Sequence, residues 1–96
     1  MFIVLLKFSK KKDHADEFAE AHMKWVKKGF EDGVFLLAGS IKPGLGGAIL
    51  ASGSTLAELK NRVEADPFVV EKIVAAEIIE IEPGKADDRL AFLVED

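Results

Sequence analysis

The run FIVLLKF at residues 2–8 has almost no polar side. At a period of two, Phe2, Val4, Leu6 and Phe8 share one face and Ile3 and Leu5 the other. β-branched and aromatic residues bounded by the polar SKKKD make this a strand. An antiparallel strand with one wet face should alternate apolar and polar residues. This one does not, so the fold must cover both sides of the sheet to which it belongs.

After Asp13 the period changes. Ala15, Phe18, Ala19, His22, Trp25, Val26, Gly29 and Phe30 fall within an arc of roughly 140° on a helical wheel. Asp16, Glu17, Glu20, Lys24, Lys27, Lys28 and Glu31 fill the opposite side. The pattern predicts a helix, with Asp13 as N-cap and Gly33 as its stop. VFLLAGS (34–40) and GAILAS (47–52) read as two strands joined through the Pro/Gly loop IKPGLG, a hairpin. STLAELKNRVEA (54–65) reads as a second helix capped by Ser54 or Thr55, with Leu56, Leu59 and Val63 inward. Asp66-Pro67 restarts a short helix, because proline is tolerated at the first helical position. AAEIIEIE (75–82) is the last strand, ended by Pro83-Gly84.

The order β-α-β-β-α-β predicts an α+β, ferredoxin-like fold: a four-stranded antiparallel sheet with its helices on one face. Residues 1–96 form a single domain with a core at 1–82 and a tail at 83–96. Val34 to Ala38 and Ala48 to Ala51 are, like the first strand, apolar on both faces. Helices cover one face; the other would expose an apolar patch on the order of several hundred Å². A second copy of the chain is the expected cover, sheet against sheet, as a two-fold homodimer. The tail segment LAFLV (90–94), ambiguous between strand and short helix, is apolar enough to dock on that neighbour.

Composition narrows the partners. A net charge of −4 and the lack of a basic stripe argue against nucleic-acid binding, and Lys10-Lys11-Lys12 reads as loop solvation. With no cysteine there are no disulfides and no thiolate metal sites. The apolar opening is too short for a signal core or membrane span, so a cytoplasmic protein with no membrane partner is the default expectation.

His22 sits near the centre of the apolar arc, where a leucine would pack better. One reading is a core histidine satisfied by a backbone carbonyl or a water. The other is an acid or base in a small, mostly apolar pocket, where an imidazole moves protons at cellular pH. Asp66 likewise has a capping role available before Pro67. The topology adds that both helices lie on one face of the sheet, so a carboxylate at residue 66 can orient the His22 ring. Ser40 offers a hydroxyl at a strand end or merely begins a loop. Trp25 and Lys7 either line a pocket or serve packing and solvation. His14, beside Asp13 and Asp16, reads as a solvated end residue, with a metal site from His14 and these acids the weaker alternative; two histidines and no cysteine give no convincing ligand set. KPGLGG (42–47) lacks a lysine-serine pair and a following helix, so its glycines serve a turn rather than a phosphate.

The short first strand, the histidine within the first helix, AGS (38–40) at a strand end and ADPF (65–68) together resemble the YciI-like (YCII-related) family over residues 1–82. That resemblance implies a ferredoxin-like fold paired into a dimeric α+β barrel. It also implies a histidine–aspartate active site, matched here by His22 and Asp66. Gly39-Ser40 stands where the family more often has Gly-Pro. Similarity of the family to muconolactone-isomerase-type barrels implies proton transfer, isomerisation or dehalogenating elimination on a small cyclic or quinone-like molecule. The expectation is a homodimeric, metal-free and cofactor-free enzyme with His22 as acid or base, Asp66 as its orienting partner, and Ser40, Trp25 and Phe68 as substrate-binding residues. The alternatives are a non-catalytic dimer that binds a small ligand or accompanies a larger enzyme, and a monooxygenase of the related barrel type.

Overall fold

The computed structural model describes residues 1–94. Its elements are β1 (Phe2–Phe8), α1 (Ala15–Glu31), β2 (Phe35–Ile41), β3 (Gly46–Ala51), α2 (Leu56–Glu64), α3 (Pro67–Val70) and β4 (Val74–Glu80). The strands form one antiparallel sheet in the order β2-β3-β1-β4, the ferredoxin-like arrangement.

Register decides which residues share a face. Phe2, Val4 and Leu6 pair with Ala51, Ile49 and Gly47 of β3, and Phe35 pairs with Ala51. Phe2, Val4, Leu6, Phe35, Ile49 and Ala51 are all buried, and with Leu59, Val63 and Phe68 from the helical layer they form the core. The alternate residues lie on the side away from the helices. Ile3, Leu5, Ile41 and Leu50 are half-buried there, while Leu37 and Ile79 are exposed.

Local chemistry explains the helices. Thr55 accepts from the Glu58 backbone N–H and Glu58 accepts from the Thr55 N–H, a reciprocal capping box that starts α2. These bonds hold the Glu58 carboxyl below its ordinary range. Thr55, rather than Ser54, is the cap. Asp13 is not a helix cap: a 3₁₀ turn at Lys12–His14 intervenes, and α1 starts at Ala15 with no side-chain cap. At the other end Gly33 takes φ +74°, as the stop requires. Lys28 and Arg62 each lie 3.0 Å from Asp32 and hold its carboxyl below the usual range. The Arg62 contact ties α2 to the end of α1, though pairs this exposed stabilise little.

The tail resolves as a 3₁₀ segment, Asp88–Leu93, with Leu90, Phe92 and Val94 exposed. Residues 95–96 of the expected docking segment lie outside the described residues. No helix among the described residues is long and apolar enough to cross a membrane.

Gly29 sets the distance between α1 and the sheet. A Cβ there would fall 2.1 Å from the Phe35 ring, which also receives Trp25 and Phe30 edge-on at 5.1 and 6.2 Å. Helix propensity alone would favour alanine by about 1 kcal/mol. The collision is the larger effect, since overpacking a filled core costs about 1–3 kcal/mol. Gly29→Ala is therefore expected to destabilise the fold, seen as a lower urea midpoint at unchanged slope.

Candidate functional site

His22 leaves the apolar face of α1 with its side chain 15% exposed, and Asp66 is completely buried at the start of α3. The His22 Nδ1 lies 2.7 Å from Asp66 Oδ1. That same oxygen accepts the Phe68 backbone N–H at 3.0 Å, so Asp66 is the helix cap as well as the partner of the imidazole. The two roles that read as rivals in the sequence belong to one atom.

An ionised carboxylate only accepts, so with Asp66 in that form Nδ1 donates to it, and in the neutral ring the lone pair is then on Nε2. Two donors on one oxygen, one of them at 2.7 Å, are the short, charge-assisted kind of bond that offsets burial of a carboxylate. Asp66 Oδ2 is buried with no hydrogen-bond partner among the described residues. Leaving a buried acceptor unpaired is costly, and it makes Oδ1 the sole attachment of this carboxylate.

Pro67 fixes the turn that presents Phe68, whose ring stacks on His22 with centroids 4.1 Å apart and planes within 4°. The imidazole is thus fixed at its Nδ1 edge by Asp66 and on one flat side by Phe68. Trp25 approaches His22 at 5.8 Å, but its indole N–H donates to the Arg62 carbonyl at 2.9 Å. It borders a separate depression beside Glu58 and Arg62. Trp25 braces α1 on α2 and does not line the His22 pocket.

That pocket holds about 310 Å³ between α1, α3 and the hairpin end of the sheet. Its walls are His22, Met23 and Val26 of α1, Phe68 of α3, and Leu6 and Phe8 of β1. Its floor is made of small residues, among them Ala38, Ser40 and Gly47. Ser40 pairs with Gly47 on the helix-facing side of the sheet and is among the residues that line the histidine's pocket. Phe68 is brought there too.

Met23, Phe8 and Gly47 were not among the sequence candidates. Met23 lies one position outside the apolar arc and is 59% exposed, so periodicity alone reads it as surface. Gly47 opens the strand expected at 47–52 and lies within β3, which starts one residue earlier at Gly46. Lys12, read as loop solvation, donates to the Gly44 carbonyl at 3.2 Å and lies over the Phe8 ring. His14 pairs only with Glu17, at 3.4 Å, and no group of three metal-ligating side chains occurs among the described residues.

A ferredoxin-like sheet with a buried carboxylate holding an imidazole against a small apolar pocket defines the kind of protein this is. The YCII-related domain matches residues 1–82, and the chain belongs to that family. Among solved structures, 5-chloro-2-hydroxyhydroquinone dehydrochlorinase (TftG) from Burkholderia phenoliruptrix AC1100, in complex with 2,5-dihydroxybenzoquinone, aligns with a TM-score of 0.69 at 14% identity. The alignment covers 88% of this chain and 96% of that one, and it establishes a shared fold. No curated protein matches the chain.

Asp66→Ala would leave the Phe68 N–H and the His22 Nδ1–H without their acceptor. Each loss of a buried partner costs roughly 1–3 kcal/mol. The variant is expected to be less stable by an amount in or above that range, measured by urea unfolding. Its His22 ring should also lose its fixed orientation, visible as averaging of the imidazole proton signals in NMR spectra.

Proposed function

We propose that this protein is a small acid–base enzyme in which His22 Nε2 takes a proton from an activated one-ring substrate and Asp66 holds the imidazole for that transfer. The observation that carries the reading is the 2.7 Å contact of His22 Nδ1 with a fully buried carboxylate, in a side chain that also lines a pocket. A packing histidine needs neither an orienting carboxylate nor a place on a cavity wall. Once protonated, the imidazolium lies against the Asp66 carboxylate, which stabilises the charge that the reaction creates.

The structural likeness to a dehydrochlorinase supports elimination as the reaction type. On a chlorinated trihydroxybenzene the balance is simple. One hydroxyl proton is lost as the chlorine-bearing carbon gains a proton, giving the keto tautomer; the base then removes a second hydroxyl proton, its electron pair enters the ring system, and the C–Cl bond breaks with its pair on chloride. The substrate loses one H⁺ and one Cl⁻, and the ring becomes a quinone without an external oxidant. Ser40 supplies a hydroxyl to a ring oxygen, and Phe68 keeps the imidazole plane fixed while the proton moves.

The assay is chloride release from 5-chloro-2-hydroxyhydroquinone. General-base catalysis contributes about 10²–10⁴-fold, so His22→Gln should lower kcat by that factor while the circular dichroism spectrum is retained. Chloride release by the variant at the rate of the parent chain would refute the assignment.

The working form in this reading is a two-fold homodimer formed through the sheet face that the helices leave uncovered. Leu37 and Ile79 are exposed there at 64% and 39%, beside half-buried Ile3, Leu5 and Leu50. Lys7 and Glu77 border these apolar residues on the same face, and burying an apolar patch of this kind is what a pairing through it would gain. Leu37→Asp places a charge on this face, at the edge strand β2, and is expected to shift sedimentation from a dimer to a monomer.

A further inference from the structure

We infer that Gly47 is the residue that sizes the pocket, and that the pocket takes a single uncharged ring. The inference rests on the acid–base reading for its choice of ligand class and on the backbone for its choice of residue.

Three glycines of the chain, Gly46 and Gly47 on the pocket and Gly29 behind it in α1, show different constraints. Gly46 has φ +136°, and a Cβ on it would fall 2.0 Å from the Leu6 carbonyl oxygen. Gly29 is closed by the Phe35 ring. Both are required by the fold. Gly47 is not among the residues with positive φ, and a Cβ on it would meet only the Gly39 carbonyl oxygen, at 3.4 Å. It pairs with Leu6 and Ser40 on the helix-facing side, where Ile49 and Ala51 of the same strand carry side chains into the core. Neither backbone conformation nor packing asks for glycine at residue 47. In a strand interior glycine is unfavourable, and β-branched residues are preferred. What its missing side chain provides is open space on the pocket floor next to Ser40.

The lining also limits charge. Among the described residues no Asp, Glu, Lys or Arg lines the pocket, and the lining side chains with strong hydrogen-bonding groups are those of His22 and Ser40. An anionic ligand would surrender its hydration there without gaining a counterion, which is costly. A flat, uncharged ring with hydroxyl groups loses little and finds one partner at each polar side chain.

The test separates stability from binding. The probes are chlorohydroquinone, an uncharged single ring, and 2,5-dihydroxybenzoate, the same size of ring with a carboxylate, each titrated by calorimetry. The parent chain should bind chlorohydroquinone at least about tenfold more tightly than the carboxylate. Gly47→Val should weaken chlorohydroquinone roughly 10- to 200-fold, the range for misfit of a small alkyl group in an apolar pocket. The same variant should melt at or above the parent temperature, because a strand gains a β-branched residue. Gly47→Ala should fall between the two in affinity.

Binding unchanged in Gly47→Val, a fall in its melting temperature of several degrees, or equal affinity of the parent chain for both probes would overturn the inference. His22→Gln distinguishes this failure from failure of the catalytic reading. It should still bind chlorohydroquinone while losing chloride release. Full chloride release by that variant would remove the acid–base role and leave the Gly47 binding result standing.

Discussion

One hydrogen bond joins the two halves of this chain's site: His22 Nδ1 to Asp66 Oδ1 at 2.7 Å, between residues 44 positions apart. Its consequences spread in both directions. On the Asp66 side, the same oxygen caps α3, so the turn that ends the second helical region and the orientation of the imidazole are fixed together. On the His22 side, Phe68, the residue whose N–H Asp66 accepts, stacks on the ring. Four groups are thereby tied in a closed circuit of cap, carboxylate, imidazole and aromatic face. A circuit of this kind makes geometry cooperative, because loosening any member releases constraints on the others.

The carboxylate is costly to keep. It is fully buried, and its second oxygen has no partner among the described residues. A short apolar side chain and an ordinary cap such as serine would fill the same place with less desolvation. Relative to such a replacement the aspartate lowers stability, and its Oδ1 fixes the Nδ1 edge of the imidazole. Buried carboxylates behind a histidine are found where the other ring nitrogen has a task.

Much of this was readable from the residues, and the failures have physical causes. The order of elements followed from period: two in FIVLLKF, 3.6 in residues 15–30, two again in the hairpin strands. Asp66 and His22 were both visible, since an aspartate before proline and a histidine in an apolar arc each break a local pattern. Their union was visible only through topology, which puts both helices on one side. Asp13 misled because Asp is a good N-cap, but the chain makes a 3₁₀ turn first. Trp25 lay in the same arc as His22, yet roughly 60° of rotation on the helical wheel turns it toward Arg62 instead of the pocket. Gly47 was legible as the start of the strand at 47–52, but a glycine beside Gly44 and Gly46 also suits a turn, and only the register shows that it shares the helix-facing side with Ser40 on the pocket floor.

The apolar character of both sheet faces, the first thing legible in the chain, bears on the site as well. In β2 and β3 successive residues alternate between the two sides, so Ser40 and Gly47 face the helices while Gly39, Ala48 and Leu37 face away. The floor of the pocket and the uncovered surface are therefore two sides of the same few residues, and neither strand can slip by one position without exchanging them. Small residues on both sides at this end leave the floor with little bulk to stiffen it. Whatever covers the second face also supports the site from beneath. In the proposed homodimer a second copy of the chain would supply that support with the same apolar side chains, so that pairing and pocket formation would be parts of one packing problem.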